Sequence, residues 1–541
     1  MRDKFMPDLD QRFDLLRRRT GFVLAPLLFA FIYTANFESL ADKPTAHRLA
    51  AVMAAVVVLW VTEAIPMALT ALLGATACVM LQVAPAKNVF APFADQLMFL
   101  FIGSFMLARA IELHGLDRRL ALSVLTLRAV GGSPSRVLFA FGATTAFISA
   151  WISNTATTAM MFAIGLSILK VLRDEGTKNE ERGTGNGERE ANAPSQAGND
   201  PVPHPSFSVP HSSLPKLDPR YATGLMLMTS FSASIGGLAT PIGTPPNVIG
   251  LNFIRKLVTH DGTPIDVTFF EWCLIGVPIV VVLYLFLFTY LNWFCPAGVT
   301  ELAGGREYLE RQRRELGPWT RGQLSTLAAF VVMVVLWVTP GVIALGWGET
   351  SDAYKWCKSS LPEAVPALLG AGLLFLLPGK QGRPALAWSE ATQIDWGVVL
   401  LYGGGFAFGM LTQETGLADI LGKNMIAWLP NAGSFGFLIA ATLVATLVSE
   451  ATSNTASANI VVPVVITMAT AAGVDPLEPA LGATFGCSLG FMLPVSTPCN
   501  AIVYGSGLVP LGRMIRYGAL LDVAGTIVIV AVVKLLGALV R

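Results

Sequence analysis

Two nine-residue stretches decide how this chain folds: SAWISNTAT at Ser149–Thr157 and SEATSNTAS at Ser449–Ser457. Both carry Ser-Asn-Thr-Ala, at 153–156 and 453–456, and both place a serine four residues before the triplet, Ser149 and Ser449. Shifted by one position, the same offset lays 97–117 over 398–418, aligning Leu100 with Leu401, Gly103 with Gly404, Phe105 with Phe406, Gly115 with Gly416 and Leu116 with Leu417. Two matches at one spacing make an internal repeat.

Each half carries a second motif: Gly243-Thr244-Pro245-Pro246-Asn247, then Ser496-Thr497-Pro498-Cys499-Asn500. The first half holds more chain between its two motifs, and the surplus matches the length of Arg173–Pro219, a stretch rich in Gly, Asn, Glu, Ser and Pro with the composition of disorder. Without that insertion the halves are commensurate.

Outside the motifs the chain is apolar. Of 541 residues 53% are hydrophobic and 13% charged, a balance that places most of it in lipid. Apolar runs such as Gly21–Phe37, Leu49–Val61, Val277–Phe294, Leu324–Val338 and Leu520–Leu539 recur at bilayer-spanning scale. About eleven spans are expected, several broken by Gly, Pro and polar residues, which membrane-depth backbone tolerates only beside protein or a cavity. An odd number of spans between the repeats inverts one half relative to the other, the plan in which broken helices of both halves meet near the midplane.

A cytoplasmic N-terminus places six Lys/Arg of 1–20, five of 109–136, seven of 170–220, five of 295–322, two of 379–394 and two of 513–516 in the cytoplasm, out of 37 in all. This supports a multi-pass protein with that orientation, and the long polar insertion with no processing signal points to a bacterial inner membrane. The lead-in at 1–20 is too acidic for a cleavable signal, and the amphipathic stretch Arg306–Leu316 reads as a surface connector between the halves. A net charge of +1, with no basic run interleaved with aromatics, excludes a nucleic-acid partner. The six cysteines show no metal spacing and read as small packing residues. The five histidines, His47, His114, His204, His211 and His260, read as solvated or interfacial and form no catalytic pair, so the chain is not expected to be an enzyme.

With 16–20 mostly apolar residues on each side, each Ser-Asn-Thr is expected at the tip of a re-entrant hairpin. Ser and Asn are preferred N-caps, and a helix N-terminus offers N–H groups and positive dipole to an anion. Thr-Pro-Pro and Thr-Pro-Cys fit the same logic, Thr capping and Pro at the first helical position, so four helix starts are expected to face one spot. None of the motifs contains Lys, Arg, His, Asp or Glu. Hydroxyl, amide and backbone carbonyl oxygens suit sodium, so anion and cations are expected to share the site, each lowering the cost of burying the other. Glu63 and Glu450 are expected to bond hairpin ends.

At these residues, together with Trp60-Val61-Thr62-Glu63-Ala64-Ile65-Pro66, the sequence resembles the divalent anion:sodium symporter family from about residue 50 onward. The resemblance implies an all-α polytopic protein of eleven spans plus two hairpins, a homodimer with paired scaffold domains, and transport domains moving like an elevator. It implies sodium sites at Ser149, Ser153, Asn154 and Gly243 and at Ser449, Ser453, Asn454 and Ser496. Substrate carboxylates would meet Ser153, Asn154, Thr155, Thr244, Ser453, Asn454, Thr455 and Thr497. Cys499 stands where the family usually has a second Pro, and Ser449 where Thr is expected.

The expected organisation is a lead-in at 1–20, first-half scaffold helices at 21–94, a first-half transport region at 95–172, the insertion at 173–219 and a broken helix at 220–258. A scaffold helix at 259–294, the connector at 295–322, second-half scaffold helices at 323–394, a second-half transport region at 395–507 and a C-terminal scaffold helix at 508–541 follow. The expected function is secondary transport coupling sodium entry to uptake of C4-dicarboxylates, the succinate, malate and fumarate class. A sodium-independent dicarboxylate exchanger, a sulfate or tricarboxylate carrier and a membrane-embedded enzyme are the alternatives.

Overall fold

In a computed structural model, residues 6–130, 132–170, 218–257, 265, 267–300, 305–348, 350–418, 420 and 433–540 are described. Among them every extended element is a helix. The insertion expected at 173–219 lies outside the described residues except for Asp218 and Pro219. His204, His211 and His260 also lie outside them.

Seven described helices are long and apolar enough to cross a bilayer, or eight if the bent pair Asp352–Ser360 and Ala364–Leu376 forms one span. Fewer helices pass this test than the eleven spans expected because polar breaks cut the others into short pieces. Pro219–Gly236 and Pro245–Ile254 form one such broken helix, Leu477–Gly486 and Pro498–Tyr504 the other. The first helix, Met6–Thr34, mixes a charged leading half with its apolar run.

The repeat reappears as packing. Pro134–Ser149, first arm of one hairpin, lies along Pro219–Gly236; its counterpart Ser434–Ala451 lies along Leu477–Gly486. Small residues permit both crossings: a Cβ on Gly236 would press into the Ala146 backbone, and one on Gly486 into the Thr442 carbonyl. The second pieces then cross over, Pro245–Ile254 packing on Leu477–Gly486 and Pro498–Tyr504 on Pro219–Gly236. This reciprocal exchange interleaves the two halves, as an inverted repeat requires.

A second body contains neither the Ser-Asn-Thr tips nor the Thr-Pro breaks. Gln96–His114 packs on Ala364–Leu376, with Gly103 against the Ala367 backbone, and also meets Arg321–Trp347 and Trp396–Glu414. Trp396–Glu414 in turn holds Met67–Met80, where Gly404 abuts Ala71. Lipid tails are as apolar as leucine, so close backbone approach at small residues, rather than hydrophobic burial, holds such helices together. Gly236→Ala should therefore cost at least about 2 kcal/mol, the scale of overpacking where backbone cannot yield. Thermal unfolding in detergent should show this loss, while Gly372→Ala, with open space around it, should leave the midpoint in place.

One carboxylate and one histidine differ from expectation. Glu63 does not bond a hairpin end; it closes Pro44–Thr62 in a left-handed conformation (φ 46°) and pairs with Arg17 at 2.8 Å. His114 is not solvated but buried, its Nε2 2.7 Å from the Ala385 carbonyl, because the helix end that carries it is covered by the chain around Ala385. The connector is helical over Gly305–Glu315, and its Arg313 donates to Thr126 Oγ1 at 3.0 Å.

Candidate functional site

The two hairpin tips converge on a cavity of about 530 Å³. All eight residues expected to touch substrate line it: Ser153, Asn154, Thr155, Thr244, Ser453, Asn454, Thr455 and Thr497. Gly243 and Ser496 line it too, while Ser149 and Ser449 are fully buried behind the tips.

Each tip is a chain reversal followed at once by a helix, over 154–170 and over Asn454–Ala471. Ser453 sits at the N-cap, its Oγ accepting the Ala456 N–H at 3.3 Å. The Thr-Pro breaks start helices as expected, but the two threonines behave differently. Thr497 Oγ1 accepts the Asn500 N–H at 3.1 Å, whereas Thr244 occupies an N-cap position without a side-chain cap bond. The Thr244 hydroxyl is therefore not spent on capping its own helix. Three helices of ten residues or more begin at the cavity, along with the seven-residue Pro498–Tyr504.

Behind the first tip lies a nest of oxygens. Ser149 Oγ donates to the Ala233 carbonyl at 2.7 Å and lies 2.6 Å from Asn154 Oδ1. That Oδ1 position is also 3.1 Å from Ala233 O and 3.2 Å from Gly243 O, all acceptors. Two arrangements satisfy it: the amide turns over and donates from nitrogen, or a cation enters and the oxygens share it. The second tip repeats the pattern, with Ser449 Oγ 2.7 Å from Cys487 O and 2.9 Å from Asn454 Oδ1. Asn454 Nδ2 reaches the Ser488 carbonyl at 3.4 Å.

Two asparagines at the ends of the Thr-Pro motifs hold the unwound segments in shape. Asn247 Nδ2 donates to Gly237 O and Thr240 O, both at 2.8 Å; Asn500 Nδ2 donates to Gly490 O at 2.9 Å and Leu493 O at 3.0 Å. Each clasp ties down carbonyls that an interrupted helix leaves without partners. The motif spacing contained these residues, but their partners lie seven and ten positions back and cannot be read from it.

The halves differ at Glu450. Its carboxylate accepts the Met492 N–H at 2.7 Å and the Ser496 hydroxyl at 2.7 Å, so it bonds the broken-helix segment as a structural hairpin-end residue. With the Ser496 proton directed to Glu450, the lone pairs of that hydroxyl are free to face a cation. In the first half Ala150 stands at this place, and its carbonyl accepts from Thr240 Oγ1 at 2.5 Å.

The other cavity wall comes from the second body and was not anticipated: Phe101, Ser104, Phe105 and Arg109 of Gln96–His114, with Gln393, Val398 and Tyr402 around the start of Trp396–Glu414. Cys499 also lines the cavity and is buried. Among the described residues no group of three His, Cys, Asp or Glu could hold a metal ion.

A family model described as "Sodium:sulfate symporter transmembrane region" matches residues 23–540. The chain is 30% identical to the sodium-dependent dicarboxylate transporter SdcS of Staphylococcus saprophyticus over 95% of this chain and 91% of that protein. It is equally 30% identical to the protein of that name in Staphylococcus aureus strain USA300, over 95% and 90%. The YdaH transporter of Alcanivorax borkumensis, described as having an unusual topology, aligns over 97% of both chains at 13% identity and a TM-score of 0.49. With the family's transmembrane region matched along nearly its whole length, this chain belongs to the sodium:sulfate symporter family.

Proposed function

We propose that this protein is a secondary transporter that couples sodium entry to uptake of C4-dicarboxylates of the succinate, malate and fumarate class. One observation carries the reading: two Ser-Asn-Thr tips and two Thr-Pro breaks, related by the repeat, surround a single cavity with an oxygen nest behind each tip. A carboxylate at each tip gains hydroxyl and amide donors and helix N-termini, and a sodium ion in each nest gains hydroxyl, amide and carbonyl oxygens. Ser149, Ser153, Asn154 and Gly243 hold one ion, and Ser449, Ser453, Asn454 and Ser496 the other. Cations and dianion neutralise each other in a low-dielectric site, so neither is buried alone. The sodium-dependent dicarboxylate transport named for both relatives supports this assignment.

The division into two bodies on opposite sides of the cavity supports an elevator, in which hairpins and broken helices carry the substrate past Gln96–His114 and Trp396–Glu414, so that these two helices, expected within the transport regions 95–172 and 395–507, belong to the stationary body instead. In this reading the protein is a homodimer in the inner membrane with a cytoplasmic N-terminus. Arg109, Glu112 and Gln393 then lie at the cytoplasmic mouth, and the cavity is open inward.

Labelled succinate uptake into proteoliposomes tests the substrate class. Malate and fumarate should compete with succinate and sulfate should not; uptake of sulfate in preference to succinate would move the protein to the other anion class of its family. The insertion is expected to be dispensable. Removing 174–217 should leave the uptake rate within about twofold, provided Asp218 is kept, because its carboxylate caps Pro219–Gly236 by accepting the Arg220 N–H at 2.8 Å.

A further inference from the structure

We propose that Arg109 recognises the charge of the dicarboxylate on its way between the hairpin tips and the cytoplasm, and so sets the substrate affinity of that face of the membrane. The inference rests on the transport function proposed above. Arg109 is the only cationic side chain among the described residues lining the cavity, whose motif residues carry no formal charge.

Its surroundings leave the charge available. The guanidinium donates to Gln393 Oε1 at 2.7 Å, a neutral partner, and pairs with Glu112 Oε2 as an i,i+3 ion pair at 3.6 Å, longer than a hydrogen bond. Its Nε is buried and without a hydrogen-bond partner, so contact with a dianion falls to the terminal nitrogens. The other carboxylate of the mouth, Asp395, caps the helix Trp396–Glu414 by accepting the Val398 N–H at 3.2 Å, where the helix N-terminus offsets its charge. An incoming dianion therefore meets one guanidinium with a loosely held acidic neighbour, which it can replace by a charge-assisted bond.

Position makes the effect one-sided. Gln96–His114 packs on Ala364–Leu376, Arg321–Trp347 and Trp396–Glu414 and belongs to the body opposite the hairpins. Arg109 lies five residues beyond Ser104, about 7–8 Å further along the helix, toward the end that the Lys/Arg distribution assigns to the cytoplasm. If the hairpins move and this helix does not, Arg109 faces substrate only while the cavity opens to its own side. A residue at the tips, by contrast, touches substrate from both sides.

The test is sodium-driven succinate exchange in proteoliposomes sorted for a single orientation, with succinate varied on one face at a time. Arg109→Gln should raise the half-saturating succinate concentration about tenfold at the cavity face and less than twofold at the opposite face. Arg109→Lys, which keeps the charge, should remain within about threefold of wild type. In the wild type, adding choline chloride from about 20 to about 200 mM should weaken succinate at the cavity face more than at the other, because screening shortens the reach of the guanidinium; this arm needs no variant to fold. Equal shifts at both faces, no shift in Arg109→Gln, or a wild type indifferent to ionic strength would overturn the proposal. A wild type that takes up no dicarboxylate with sodium would overturn the functional reading beneath it.

Discussion

Asn154→Ala should abolish sodium-coupled succinate uptake, lowering the rate at least about 100-fold in a protein that still folds. In the proposed sites the Asn154 side chain would serve both ligands: it lines the cavity, and its amide reaches among Ser149 Oγ, Ala233 O and Gly243 O. On that proposal truncation removes one ligand from the sodium nest and one polar group from the substrate side. Losing a charge-assisted contact costs about 1.5–3 kcal/mol each, and two such losses account for the predicted drop. Asn154→Asp tells the two amide arrangements apart. If a cation occupies the nest, the new carboxylate keeps its oxygen there and sodium binds at least as tightly. If the amide instead donates to Ala233 O and Gly243 O, the carboxylate faces two carbonyls and the hairpin is destabilised. Sodium-dependent shifts of the unfolding midpoint read out which occurs.

Glu450→Ala should raise the half-saturating sodium concentration about tenfold or more and lower stability by about 2–4 kcal/mol. The carboxylate holds the Met492 N–H and the Ser496 hydroxyl together, and the residue is buried. Without it a buried backbone donor is stranded, which costs about 1–3 kcal/mol, on top of the cavity left by the truncation. Ser496 keeps only its 2.9 Å bond to the Glu450 carbonyl, so its hydroxyl is no longer aimed by two acceptors. Glu450→Gln should recover part of both losses, since one oxygen can still accept from Met492 or Ser496. Thermal unfolding with and without sodium separates the loss of fold from the loss of the ion. The first half offers the comparison: Ala150 needs no carboxylate there, because its own carbonyl takes the Thr240 hydroxyl.

The tips were legible because the repeat is written in identical residues: Ser-Asn-Thr at a constant offset, each beside a Thr-Pro break, locates the site without any knowledge of packing. What the sequence left unread depended on partners far along the chain. Asn247 and Asn500 close the motifs, but nothing local says that they clasp carbonyls seven and ten positions back. Thr244 and Thr497 occupy equivalent positions, yet only Thr497 caps with its side chain. Glu63, near the early signature, pairs with Arg17 of the first helix, 46 positions away. In sequence Arg109 is one of five Lys/Arg at 109–136 assigned to the cytoplasm. Only the packing of Gln96–His114 opposite the tips turns it into a cavity residue. Only seven described helices, or eight with the bent pair, are long and apolar enough to span, because polar breaks cut others into short pieces.

Coupling of sodium to a dianion at the two tips is the central proposal. It is tested most directly by labelled succinate uptake into proteoliposomes under three conditions: an inward sodium gradient, choline in place of sodium, and internal unlabelled succinate without sodium. Concentrative uptake under the sodium gradient alone, lost in Asn154→Ala, is the predicted result. Uptake indifferent to sodium but driven by internal dicarboxylate would contradict it and make the protein an exchanger.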